Sequence, residues 1–227
     1  MKIGGFQKLS LLDYPNKLSC IIFLKKCPFR CHFCYNKNLI YDNPPYYEEK
    51  EIYDFLKKRK DMLDAIVITG GEPTIQKELP LFIQKLKKFN LLIKLDTNGI
   101  NPKMLSDLLI LNLLDYIAMD IKAPLDKYKK VIDVDIEIEK IKKSINIILS
   151  SSINHEFRTT VVKGLHTKKD LLNIAKMIEG ADLYVLQKFV PLSPLNKKFK
   201  NKNSLSDKTL KNIKADIKKY VKKCIIR

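Results

Sequence analysis

Short apolar runs alternate with longer amphipathic stretches along the chain. Residues 18–24 (Leu-Ser-Cys-Ile-Ile-Phe-Leu), 64–69, 91–95, 116–121, 156–162 and 183–190 are compact and rich in aliphatic and aromatic side chains, which predicts six strands. Residues 47–60, 78–89, 103–113, 136–149, 168–178 and 206–223 predict helices. Leu81, Phe82, Leu86 and Phe89 recur at helical spacing, as do Ile138, Ile141, Ile145 and Ile148. Strand and helix in regular alternation predict parallel strands joined by helical crossovers. An open doubly wound sheet and a full or partial barrel both satisfy this pattern. In either, ligands gather at the C-terminal ends of the strands.

The chain's unusual residues fall at those ends. Cys27 follows the first predicted strand, Gly70-Gly71-Glu72-Pro73 the second and Asp96-Thr97-Asn98-Gly99 the third. Asp120 and Lys122 end the fourth, and Gln187 and Phe189 the sixth. Polar residues at five neighbouring strand ends predict one concave site.

Composition narrows the class. A chain of 227 residues with 45% apolar residues can bury a real core, and we expect a single domain over 1–227. No run reaches the roughly 18–20 apolar residues of a membrane helix. The first residues lack the apolar stretch of a signal peptide, so a cytoplasmic protein without a membrane partner is expected. The balance of 43 basic to 25 acidic residues gives +18, and residues 197–227 alone carry twelve Lys/Arg against Asp207 and Asp216. Such a surface suits nucleic acid, anionic ligands or an acidic protein. Lysine is abundant throughout, however, so a compositional bias explains the charge as well and a nucleic-acid partner is not expected.

Three of the five cysteines crowd into one loop, Cys27-Pro-Phe-Arg-Cys31-His-Phe-Cys34-Tyr35. An odd number so spaced is not a disulfide framework. Three close thiolates can share a metal centre. Zinc would need His32 or a remote residue as fourth ligand. An iron–sulfur cluster accepts thiolates over a larger volume, and three would leave one iron open to another ligand. The spacing favours the cluster over zinc.

The three-cysteine loop, with Phe33 before its last cysteine, resembles the signature of radical S-adenosylmethionine (SAM) enzymes. The resemblance implies a partial (β/α)6 barrel, one [4Fe–4S] cluster on Cys27, Cys31 and Cys34, and SAM bound at the open iron. One electron would then split the sulfonium to methionine and a 5′-deoxyadenosyl radical. Gly70-Gly71-Glu72 resembles the family motif that holds the SAM amino group. Leu11-Leu12-Asp13-Tyr14-Pro15, Asp96-Thr97-Asn98-Gly99 and Met119-Asp120-Ile121-Lys122 extend the likeness to glycyl-radical-enzyme activating enzymes, especially those of anaerobic ribonucleotide reductase. Carried over, Phe33, Cys34, Tyr35, Gly70, Gly71, Glu72, Thr97, Asp120, Ile121 and Lys122 line SAM, and Asp96, Thr97 and Asp120 are monovalent-cation ligands. Phe189 stands where some activating enzymes place a histidine near the adenine. Arg158 either meets the SAM carboxylate or pairs on the surface. The implied partners are a glycyl-radical enzyme and an electron donor such as flavodoxin or ferredoxin. No cysteine-rich insert follows Tyr35, so auxiliary clusters are not expected.

Other residues suggest structural roles. Cys20 reads as a core thiol, Cys224 as a free thiol in a basic last helix, and His155 and His166 as loop or capping residues. Leu210, Ile213, Ile217 and Val221 would pack that helix on the barrel. The rival readings are a radical SAM enzyme acting on a small molecule or RNA, such as a 7-carboxy-7-deazaguanine synthase, and a zinc-binding adaptor.

Overall fold

The computed structural model describes residues 1–43 and 45–227. One eight-stranded sheet carries the fold, with strands in strict chain order: β1 Ile3–Ser10, β2 Ser19–Leu24, β3 Ala65–Gly70, β4 Leu92–Thr97, β5 Tyr116–Asp120, β6 Asn154–Val161, β7 Tyr184–Lys188 and β8 Cys224–Ile226. From β2 to β8 every pairing is parallel. β1 pairs with β2 antiparallel, and β1 and β8 are the two ends of the sheet, so the barrel is not closed. The helices are α1 Glu49–Arg59, α2 Leu79–Lys87, α3 Pro102–Ile110, α4 Tyr128–Ile132, α5 Ile138–Leu149, α6 Lys168–Met177 and α7 Asp207–Ile217. This is the expected partial barrel, with β2–β7 as its six predicted strands.

The strands divide their side chains between two cores. The larger lies between sheet and helices, where Ile22, Ile66, Ile93, Ile117 and Phe157 meet the apolar faces of the helices, such as Leu86, Leu108 and Ile145. A smaller one fills part of the lumen, where Tyr14, Ile21, Ala65 and Val67 pack with Phe23, Leu92 and Tyr116. Local chemistry sets the helix starts. Asn101 accepts from the Met104 N–H at the start of α3, Ser206 from Thr209 N–H at α7, and Thr167 with Asp170 forms a capping box at α6.

Two strands differ from the expectation. β1 was not read as a strand because Gly4, Gly5, Gln7 and Lys8 break its apolar alternation; it is a half-exposed edge, held by pairing with β2. The last helix stops at Ile217 rather than running to 223. Residues 218–223 turn back, with the Lys222 N–H donating to the Ala181 carbonyl, and Cys224–Ile226 adds β8 beside β7. Cys224 is thus a buried strand residue, not a helical one. The stripe of Leu210, Ile213, Ile217 and Val221 is buried as expected.

Candidate active site

The C-terminal ends of β2–β7 surround a cavity of about 390 Å³. Cys27, Cys31 and Cys34 line it together with Glu72, Thr97 and Asn98 and with Asp120, Lys122 and Arg158. Burial pushes the thiols of Cys27 and Cys31 up to about 12 and raises that of Cys34. Thiolates here require a compensating positive centre. Among the described residues, no three His, Cys, Asp or Glu side chains converge on a single metal ion. Three thiols from one loop lining the same cavity suit a cluster, which spreads its ligands over several irons.

The Gly-Gly-Glu turn is latched to the root of the cysteine loop. Gly71 N–H donates to the Leu24 carbonyl at 2.8 Å and Glu72 N–H to the Lys26 carbonyl at 2.7 Å. Gly70 adopts φ +125°, and a Cβ on Gly71 would lie 2.1 Å from the Lys26 carbonyl oxygen. Both positions need glycine so that two stretches of the protein's own backbone can touch.

Glu72 is 1% exposed and accepts four hydrogen bonds: from Thr74 N–H and Oγ1, from Thr97 Oγ1 at 2.7 Å, and from Asn98 N–H at 2.7 Å. Burial raises its carboxyl above the ordinary range, against the pull of these donors. Glu72 thus ties the end of β3 to the end of β4. Asn98 completes the tie, since its side-chain amide donates to Cys27 Sγ at 3.7 Å.

Arg158 stands inside the barrel rather than on the surface. Its Nε donates to Asp120 at 2.8 Å and its Nη1 to Asp96 at 3.0 Å. Burial alone would push the Asp120 carboxyl up, but Arg158 and Lys122 outweigh it and hold it well below the usual range. The same geometry keeps Lys122 and Arg158 firmly protonated, because Asp120 more than offsets their burial. Lys122 Nζ donates to Asp120 at 3.0 Å and lies 6.0 Å from the Phe33 ring centroid. Asp96 also meets Lys94 at 3.1 Å, so both candidate cation-binding carboxylates are engaged by the protein's own cations. A monovalent cation between them would have to displace Arg158.

The remaining candidates have varied placements. Phe33 and Tyr35 line the cavity. Ile121 is buried beside it, donating its N–H to the Arg158 carbonyl. Phe189 does not reach the cavity wall; it stacks on Tyr35 with ring centroids 5.7 Å apart, and the Val190 N–H donates to the Tyr35 hydroxyl.

Sequence reasoning missed three buried residues. Lys94 and Glu156 point into the lumen from β4 and β6, where Glu156 lies 3.7 Å from Lys94 and 3.3 Å from Arg227. Their signal was a charge inside an apolar strand. His166, read as a loop residue, accepts from Val162 N–H and its Nε2 bonds the Lys122 carbonyl at 2.9 Å, fixing the segment that carries Lys122.

Residues 21–178 match the family model of the radical SAM superfamily. A Methanocaldococcus jannaschii protein, named provisionally as a glycyl-radical enzyme activating enzyme, is 34% identical over 99% of this chain and 95% of its own length. Helicobacter pylori GTP 3′,8-cyclase is 31% identical over 78% of this chain, which spans 55% of that enzyme. Among solved structures, Streptococcus suis SuiB with its precursor peptide SuiA superposes with a TM-score of 0.71 over 91% of this chain and 48% of SuiB. At 12% identity that likeness concerns the fold alone. On the matched family model and on a relative aligned along nearly its whole length, this chain belongs to the radical SAM superfamily.

Proposed function

We propose that the protein is an activating enzyme that generates a glycyl radical on a partner protein. The observation that carries this reading is the end-to-end alignment with the M. jannaschii protein so named. The GTP 3′,8-cyclases, by contrast, have almost half their length without a counterpart here. The unclosed barrel supports a protein substrate, because β1 and β8 do not pair with each other and leave the barrel open between them.

Cys27, Cys31 and Cys34 would hold the [4Fe–4S] cluster, which with SAM supplies the hydrogen-abstracting radical. The protein's own residues bind and orient. Glu72 offers charge to the SAM ammonium beside the backbone of Gly70 and Gly71. Lys122, fixed by Asp120 and His166, would hold the SAM carboxylate, and Phe33 and Tyr35 would give the adenosyl group apolar surface. Arg158, which bridges Asp96 and Asp120, would act as a positioning residue. An acidic one-electron carrier, flavodoxin or ferredoxin in kind, would supply the reductant.

The test mixes reduced enzyme, SAM and a glycyl-radical protein of the same source without oxygen. The expected result is a doublet in electron paramagnetic resonance on the partner, lost when its radical-site glycine becomes alanine. Efficient turnover of GTP or another nucleotide, with no partner radical, would assign the chain to small-molecule chemistry instead.

A further inference from the structure

The cysteine loop has an outer cover. After β7 the chain crosses over it, with the Leu195 N–H donating to the Cys34 carbonyl and the Asn196 N–H to the His32 carbonyl, both at 3.0 Å. His32, between two of the cysteines, lays its ring 5.4 Å from that of Phe199, which is buried in this covering segment. Phe199 in turn meets Phe189, so an aromatic layer backs the loop on the side away from the cavity.

The outer surface of this cover is strongly basic. Lys197, Lys198 and Lys200 are exposed on a 3₁₀ turn, Lys197–Asn201. Lys202 lies over the Phe199 ring at 5.4 Å. Lys163 joins them from the end of β6, its N–H donating to the Asn203 carbonyl. No acidic residue occurs from 184 to 206. Among the described residues none of these five lysines has an ion-pair partner, although many lysines elsewhere do, including Lys188, Lys168 and Lys127. Five unpaired like charges are costly together and gain from an acidic counter-surface.

We propose that this lysine-bearing segment is the docking surface for an acidic, one-electron carrier protein that reduces the cluster. The inference rests on Cys27, Cys31 and Cys34 being the cluster ligands. It adds where the electron enters. A carrier seated on the segment is separated from the cysteine loop by one layer of chain, which is hydrogen-bonded to that loop and in aromatic contact with His32. The transfer moves one electron from the reduced carrier to the cluster. The carrier is oxidised by one electron, and no atom or proton crosses. Seated there, the carrier leaves the cavity itself free for SAM and substrate. Long-range attraction between the lysines and an acidic protein would speed encounter and weaken steeply with salt.

The experiment uses the cluster-loaded full chain and a recombinant bacterial flavodoxin. Two triple variants change net charge equally: Lys197→Glu/Lys198→Glu/Lys200→Glu on the cover, and Lys57→Glu/Lys58→Glu/Lys60→Glu at the C-terminal end of α1. Binding is titrated calorimetrically at low and high salt without SAM. SAM cleavage is then driven either by reduced flavodoxin or by dithionite. The cover variant should bind flavodoxin at least tenfold more weakly at low salt and lose most of the salt dependence. Its flavodoxin-driven cleavage should fall by a similar factor while dithionite-driven cleavage and iron content stay at wild-type levels. The α1 variant should behave as wild type throughout.

Equal weakening in both variants, unchanged affinity in the cover variant, or no flavodoxin binding by wild type overturns the proposal. So does a loss of partner radical in the cover variant under dithionite, which would give the surface to the protein substrate. A wild type without iron would instead overturn the cluster assignment, a separately readable failure.

Discussion

Replacing Cys31 by alanine is expected to leave a folded protein that holds no cluster. Cys31 sits in the cavity wall on a loop whose ends are tied elsewhere. Cys27 N–H donates to the Ile40 carbonyl, and the Gly-Gly-Glu turn grips Leu24 and Lys26. Losing one small side chain costs such a site little. Losing one of three thiolates removes the means of holding the iron. Anaerobically purified wild type should carry about four irons per chain, the variant almost none, and SAM cleavage should fall to background. Cys20→Ala and Cys224→Ala should keep full iron, because both thiols are buried in strands away from the cavity. Full iron in Cys31→Ala would refute the ligand assignment, and about eight irons in wild type would reveal a second cluster.

Glu72→Ala is expected to weaken both the fold and SAM binding. Four donors now satisfied by one buried carboxylate would lose it. Hydrogen bonds to a charged acceptor contribute about 1.5–3 kcal/mol each in favourable cases and are not additive, so a loss of roughly 3–4 kcal/mol of stability is reasonable. Glu72→Gln separates the two roles. It keeps an oxygen for Thr74 and Thr97 but presents an amide to the Asn98 N–H, a cost of about 1 kcal/mol. It also removes the charge facing the SAM ammonium, so affinity should drop about tenfold or more. The pH dependence has a definite sign. Burial holds the folded Glu72 carboxyl above its unfolded value, so ionising it costs stability as pH rises through that interval. A bound ammonium offsets that cost. Wild-type affinity for SAM should therefore weaken as pH falls through the folded Glu72 value, and Glu72→Gln should lack this step. Unchanged SAM titration in both variants would remove Glu72 from the site.

The parts of the fold legible in sequence were those fixed by local pattern. β2–β7 are buried apolar runs bounded by turn residues, and their ends announced where polar residues would gather. β1 and β8 were hidden for a physical reason. Ile3–Ser10 is glycine-rich and half solvated, and Cys224–Ile226 is three residues long and owes its conformation to β7. The site shows the same division. Cys27, Cys31, Cys34, Glu72, Thr97, Asp120 and Lys122 sit at strand ends and line one cavity. What the sequence could not supply was the lumen. Register sets Asp96 level with Ala118 and Glu156, and Asp120 level with Arg158. Only that register turns Arg158, a residue with two open readings, into the bridge between Asp96 and Asp120.

Strict neighbour-to-neighbour strand order also shapes how the chain reaches this state. Each strand from β2 to β7 pairs with one that follows within about 20–45 residues, so each successive loop closure adds only modest entropy cost. The cover over the cysteines joins more distant stretches of chain: Val190 meets Tyr35 across 155 residues. The cysteine loop and its Glu72 latch can therefore form during synthesis while the covering segment is still missing, leaving an interval in which iron and sulfide can enter. Once closed, that segment is held to the site by contacts distant in sequence rather than by strand pairing. Amide hydrogen exchange should find residues 190–202 opening sub-globally, well ahead of β3–β5; exchange there as slow as in the central strands would contradict this order of assembly.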